Sequence, residues 1–99
     1  MYQIRYSDTA LEDIMALRIV IRDTYKAPNT AISYLQGLYD KIIHLKRSAE
    51  SFPIQSSSFF QRYGANTRRI NYKKMAVIYT VHGDIVYIHR VMPANLITG

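Results

Sequence analysis

The sequence predicts an α+β domain in which a helical hairpin packs on a largely antiparallel four-stranded sheet, in the order β-α-α-β-β-β. Three observations predict it. Two stretches carry apolar residues at helical spacing, four short stretches alternate with period two, and the helical stretches are consecutive instead of alternating with strands. The 99 residues fit one domain spanning 1–99.

Tyr2, Ile4 and Tyr6 alternate with Gln3 and Arg5, which predicts a short opening strand with one buried face. Thr9 with Glu12 three residues on forms a capping box for the first helix. Ala10, Ile14, Leu17, Ile21 and Tyr25 make its apolar stripe. Lys26-Ala27-Pro28-Asn29 ends it, because proline disfavours helical geometry in the residue before it. Asn29 or Thr30 can cap a second helix, with a stripe of Ile32, Leu35, Tyr39, Ile42 and Leu45. The short connection predicts antiparallel packing of the two helices.

Residues 48–64 are expected to form a loop, given Pro53, the serine run 56–58 and Gly64, with Phe52, Ile54, Phe59 and Phe60 pinning it to the body. Three strands follow over 67–72, 75–82 and 85–91. Gly83-Asp84 suits a two-residue type II′ hairpin between the last two, pairing His82 with Ile85 and Ile78 with His89. One face then carries Met75, Val77, Tyr79, Val81, Val86 and Ile88 and should cover the helices. The other carries Ala76, Ile78, Thr80, His82, Ile85, Tyr87 and His89, a mixed and aromatic surface suited to function.

The charge is strongly asymmetric. Residues 1–45 hold five cations and five anions, and residues 46–99 hold eight cations (Lys46, Arg47, Arg62, Arg68, Arg69, Lys73, Lys74, Arg90) and two anions (Glu50, Asp84). The whole net charge of +6 therefore lies in the second half, where it favours a phosphate backbone or an acidic protein. The absence of cysteine excludes disulfides and thiolate metal sites and suits a reducing cytoplasm. No signal peptide or membrane span is expected, since every apolar run is only a few residues long. No glycine-rich phosphate loop occurs, and His44, His82 and His89 lack the company a metal site needs, so neither cofactor nor metal is expected.

The element order, with the run Arg68-Arg69-Ile70-Asn71-Tyr72-Lys73-Lys74-Met75-Ala76-Val77-Ile78-Tyr79-Thr80-Val81 and the later Val86-Tyr87-Ile88-His89-Arg90-Val91, resembles the RelE/ParE superfamily of toxins. The opening Ile4-Arg5-Tyr6-Ser7, Ala10 and Asp13-Ile14 resemble the family's first strand and helix start, so the likeness spans almost the whole chain. It implies a bacterial type II toxin, of the kind also described as a plasmid stabilisation protein, neutralised by a cognate acidic antitoxin. RelE-like members cut messenger RNA on the ribosome without a metal ion, and ParE-like members inhibit DNA gyrase. The sequence departs from the RNA-cleaving pattern twice. Ala76 stands where the family often has arginine, and Met92-Pro93-Ala94-Asn95 where it often has histidine or basic residues. These losses favour a protein target such as gyrase over RNA cleavage, and a ribosome-dependent messenger RNA endonuclease and a non-toxic nucleic-acid-binding relative are the alternatives.

Metal-free RNA cleavage would need a cation for the developing phosphorane charge and an acid or base. If Ile70 points into the core, Arg69 turns to the open face, where the family places a basic residue. Arg69 is the candidate cation and His89, beside Tyr87 and His82, the candidate acid or base. Lys73 and Lys74 in a turn, together with Arg62 and Tyr87, are candidate nucleic-acid or partner contacts. Arg68 belongs to the same set but falls toward the core side, where a structural role competes. Arg90 should lie on the core side near a strand end, in an ion pair or an antitoxin contact.

Overall fold

The computed structural model describes residues 1–98. Strand β1 (Gln3–Tyr6) leads into helix α1 (Asp8–Tyr25) and helix α2 (Pro28–Ile43), and a short helix α3 (Leu45–Ser48) continues into a 3-10 turn at Ala49–Ser51. A one-turn helix α4 (Ser58–Gln61) interrupts the loop expected there. Strands β2 (Arg68–Tyr72), β3 (Met75–His82) and β4 (Ile85–Pro93) complete the sheet. The strand order is β1-β4-β3-β2, with β1 parallel to β4 and the other pairs antiparallel. The expected α+β architecture is the observed one.

Local chemistry explains the junctions. Ser7, not Thr9, caps α1: its Oγ accepts from Ala10 N–H at 2.9 Å and donates to the His89 carbonyl at 2.8 Å. One side chain therefore both starts the helix and ties it to β4. Lys26 ends α1 in the left-handed region, and Pro28 opens α2 at a position that needs no N–H. Gly83 has φ 61° at the first turn position between β3 and β4, as a type II′ hairpin requires.

One face of the sheet carries Ile70, Met75, Val77, Tyr79, Val86, Ile88 and Val91 against Ala10 and Ile14 of α1 and Leu38 and Ile42 of α2. The stripe expected on α2 is only half correct. Its inward residues are Tyr34, Leu38 and Ile42, followed by Leu45 of α3, while Ile32 is 60% exposed and Tyr39 37%. The reason is Gly37, over which the Tyr72 ring sits. A residue without a side chain is the one facing the sheet, and apolar periodicity does not register it.

The opposite face is not fully open. Phe59 and Phe60 of α4, with Met92, bury Ile78 in a second small core, and Tyr63 and Ile97 pack beside it. The serine-rich segment is thus a packed cover over one end of the sheet. Among the described residues no helix is long and apolar enough to cross a membrane.

Candidate functional site on the open sheet face

The uncovered end of this face is organised by a register shift. Tyr79 pairs with Ile88, but Ile78 pairs with Arg90, so His89 is an extra residue bulged out of β4. The expected pairing of Ile78 with His89 is therefore displaced by one residue. His89 stays on the open face with Tyr87, and beyond the bulge Val91 and Met92 match Val77 and Ala76.

His89 completes a cluster. The Thr80 hydroxyl lies 2.8 Å from His89 Nε2 and 2.8 Å from His82 Nε2. A hydroxyl has one proton and two acceptor sites, so Thr80 donates to at most one of the two rings and the other donates its Nε2–H to Thr80. Tyr87 meets the His89 ring edge-on at 4.8 Å between centroids, and Tyr63 flanks it at 5.3 Å. Burial, and secondarily the neighbouring His82, hold His89 below the ordinary imidazole pKa of 6.5. Thr80 is the member that residue-type reasoning did not single out. Its signal was present, since period-two alternation sets residues 80, 82 and 89 on one face, but alternation says nothing about a hydroxyl between two rings.

The cations of the carboxyl-terminal half are divided among several surroundings. Arg68 turns to the helical side and donates from Nη1 to the carbonyls of Glu50, at 3.1 Å, and Phe52, pinning the segment after α3. Arg69 is on the open face, where Nη2 and Nε donate to Asn71 Oδ1 at 2.8 and 3.2 Å and the guanidinium lies 5.9 Å from the Phe60 ring centre. Arg62 lies over the Phe59 ring at 4.4 Å. Lys73 points back toward α2, its Nζ 5.1 Å from the Tyr34 ring centre and 5.6 Å from that of Tyr72. Lys74 is exposed in the same turn. Arg90 sits at the edge of β4 in an ion pair with Asp13 of α1, Nε to Oδ2 at 2.7 Å. Of the cations in the carboxyl-terminal half, Arg69 and Arg62 border the aromatic cover of this face, while Arg68, Lys73 and Arg90 are turned to other surroundings.

The surface therefore offers two bridged imidazoles, two tyrosines and, further along, two arginines. Arg69 pairs with Ile78 across β2 and β3, so β3 lies between it and His89. Adjacent strands are spaced about 4.8 Å apart, which puts the two backbones about 10 Å from one another. Among the described residues no group of three metal-ligating side chains forms.

No family model matches the chain, and no curated protein matches its sequence significantly. Solved structures do match its shape. A chain of the chromosomal ParDE toxin–antitoxin system from P. aeruginosa superposes with a TM-score of 0.73 at 16% identity, covering 94% of this chain and 96% of that one. YafQ from E. coli gives 0.56 at 14% identity over the whole of both chains, and the DinJ–YafQ complex gives 0.57 at 14%. The chain shares its fold with these structures. Its agreement with the ParDE chain is tighter than with YafQ.

Proposed function

We propose that the chain is the toxin of a bacterial type II toxin–antitoxin pair, that it arrests growth by holding a protein target such as DNA gyrase on its open sheet face, and that an acidic antitoxin neutralises it. The observation that carries this choice over RNA cleavage is Ala76. RelE-like members often have an arginine there; here the residue is a fully buried alanine paired with Asn71 on one side and Met92 on the other. The neighbouring cations that would have to replace that arginine have other partners: Arg90 has Asp13, and Arg69 has Asn71. A metal-free ribonuclease needs a cation aimed at the reacting phosphate, whereas a surface that only binds does not. The tighter superposition on the ParDE chain agrees.

A second function, ribosome-dependent messenger RNA cleavage, has one observation in its favour, the histidine pair bridged by Thr80. Induced expression with two readouts separates the two. Growth arrest with DNA damage and intact transcripts is the expected result, and arrest with transcripts cut on ribosomes would replace the first function by the second. Both functions place the chain in the cytoplasm and need no cofactor.

A further inference from the structure

The outer surface of α1 carries a pattern that neither the core nor the open sheet face uses. Asp8, Glu12, Met15, Ile19 and Arg22 recur at spacings of 4, 3, 4 and 3, which places them on one stripe of the helix, and Lys26 follows at its carboxyl-terminal cap. All six are exposed; Met15 is 63% and Ile19 50% accessible, and Ile32 of α2 widens the apolar centre. The inward stripe of α1, Ala10, Ile14 and Ile21, is on the other side of the helix, so core packing does not explain the outer one.

We propose that this stripe is a self-association surface on which two copies of the chain pack α1 against α1 in antiparallel orientation. The argument is charge complementarity along the stripe. Its amino-terminal end is acidic, its centre apolar and its carboxyl-terminal end basic. About a two-fold axis midway between Met15 and Ile19, Asp8 faces the second copy's Lys26, Glu12 its Arg22, and Met15 its Ile19. A two-fold axis repeats each match, so one contact surface satisfies both copies. Parallel packing would set Glu12 against Glu12 and Arg22 against Arg22, which the charges oppose. Within one chain, Arg22 has only an exposed contact to Asp23 at 3.4 Å, which leaves it available. One helix of 18 residues spans about 27 Å, so the buried area falls at the lower end for specific interfaces and the dimer is concentration-dependent.

Sedimentation equilibrium of the free chain between about 10 and about 500 µM tests this. The expected result is a shift from one to two chain masses across that range. Glu12→Arg and Arg22→Glu should each weaken association at least about tenfold, and the double swap should return it to within about threefold of the starting chain. Because these residues are exposed, circular dichroism melts of all variants should coincide. A monomer at every concentration overturns the proposal and leaves the stripe to a different kind of partner. A double swap as weak as either single variant also overturns it, because the charges would then not face each other.

Discussion

Asp13 on α1 holds Arg90 on β4 by two hydrogen bonds, Nε to Oδ2 at 2.7 Å and Nη2 to Oδ1 at 3.1 Å. The same carboxylate accepts Val91 N–H at 3.0 Å. Strand β1 ends at Tyr6, opposite Ile88, so this edge of β4 has no strand beside Val91. A carboxylate from the helix takes the place of the missing strand. It also fixes α1 to the part of β4 that contains the bulge.

Asp13→Asn should therefore destabilise the fold although the residue is not in the central core. It removes the charge from a half-buried pair and one acceptor from the strand edge. The expected cost is roughly 1–3 kcal/mol, visible as a fall in Tm of roughly 5–20 °C for a domain this size. An unchanged Tm would mean that the pair is an ordinary surface contact.

Tyr79→Phe is a test of the central core. The Tyr79 hydroxyl, fully buried, donates to the Ala49 carbonyl at 2.6 Å. Burial pushes its pKa up to about 12, against the smaller opposing influence of Arg68. Removing the hydroxyl leaves a buried carbonyl without its partner, at an expected cost of about 1–3 kcal/mol. Thermal melts of the variant check this, and a neutral result would show that water replaces the hydroxyl.

Gly37→Ala should lower stability, against the usual gain of about 1 kcal/mol for this change inside a helix. A Cβ at 37 would lie 2.8 Å from Tyr72 Cζ and 3.0 Å from Cε1. Tyr72 cannot move freely, because it packs edge-on against Tyr34 at 5.2 Å. In a Tyr72→Leu background the penalty should disappear. Melting curves of the two single variants and the double variant measure the coupling.

The histidine cluster makes stability depend on pH. His89 has a folded pKa below its ordinary 6.5, because of burial first and His82 second. The unfolded chain therefore binds a proton at higher pH than the folded chain. The stability contributed by the neutral ring is complete above about 6.5 and is lost as pH falls through the folded value. Urea midpoints should drop between about pH 7.5 and about pH 5, and less so in His89→Gln. By NMR titration, His82→Gln should raise the His89 pKa toward 6.5 without reaching it, since burial remains.

Much of this architecture was legible in the sequence, and the exceptions have physical causes. Period-two alternation separated the two faces of β3 correctly, because both Val77 and Tyr79 must be apolar to seal the helices while Thr80 and His82 need not be. Alternation failed beyond His89, since the bulge shifts the register by one residue and brings Val91 to the core face without any signal in the apolar pattern. Ser7 carries the same hydroxyl chemistry as the expected cap Thr9, and its tie to the His89 carbonyl, 82 residues away, distinguishes it. A count of charges does not say where each cation turns: Lys73 goes to Tyr34 of α2, while Arg68 and Arg90 take the local partners expected for them. The covering of Ile78 by Phe59 and Phe60 depends on where a loop folds back, which local periodicity does not encode.

The central claim is that the open sheet face binds a protein target without cutting RNA. The most direct measurement incubates the purified chain in parallel with gyrase in a supercoiling assay and with programmed ribosomes, followed by mapping of transcript ends. Inhibited supercoiling and uncut transcripts are expected, with the inhibition lost in a Tyr87→Ala variant whose melting curve shows that it still folds. Cut transcripts that become intact when His89 is replaced by glutamine, with supercoiling unaffected, would contradict the claim.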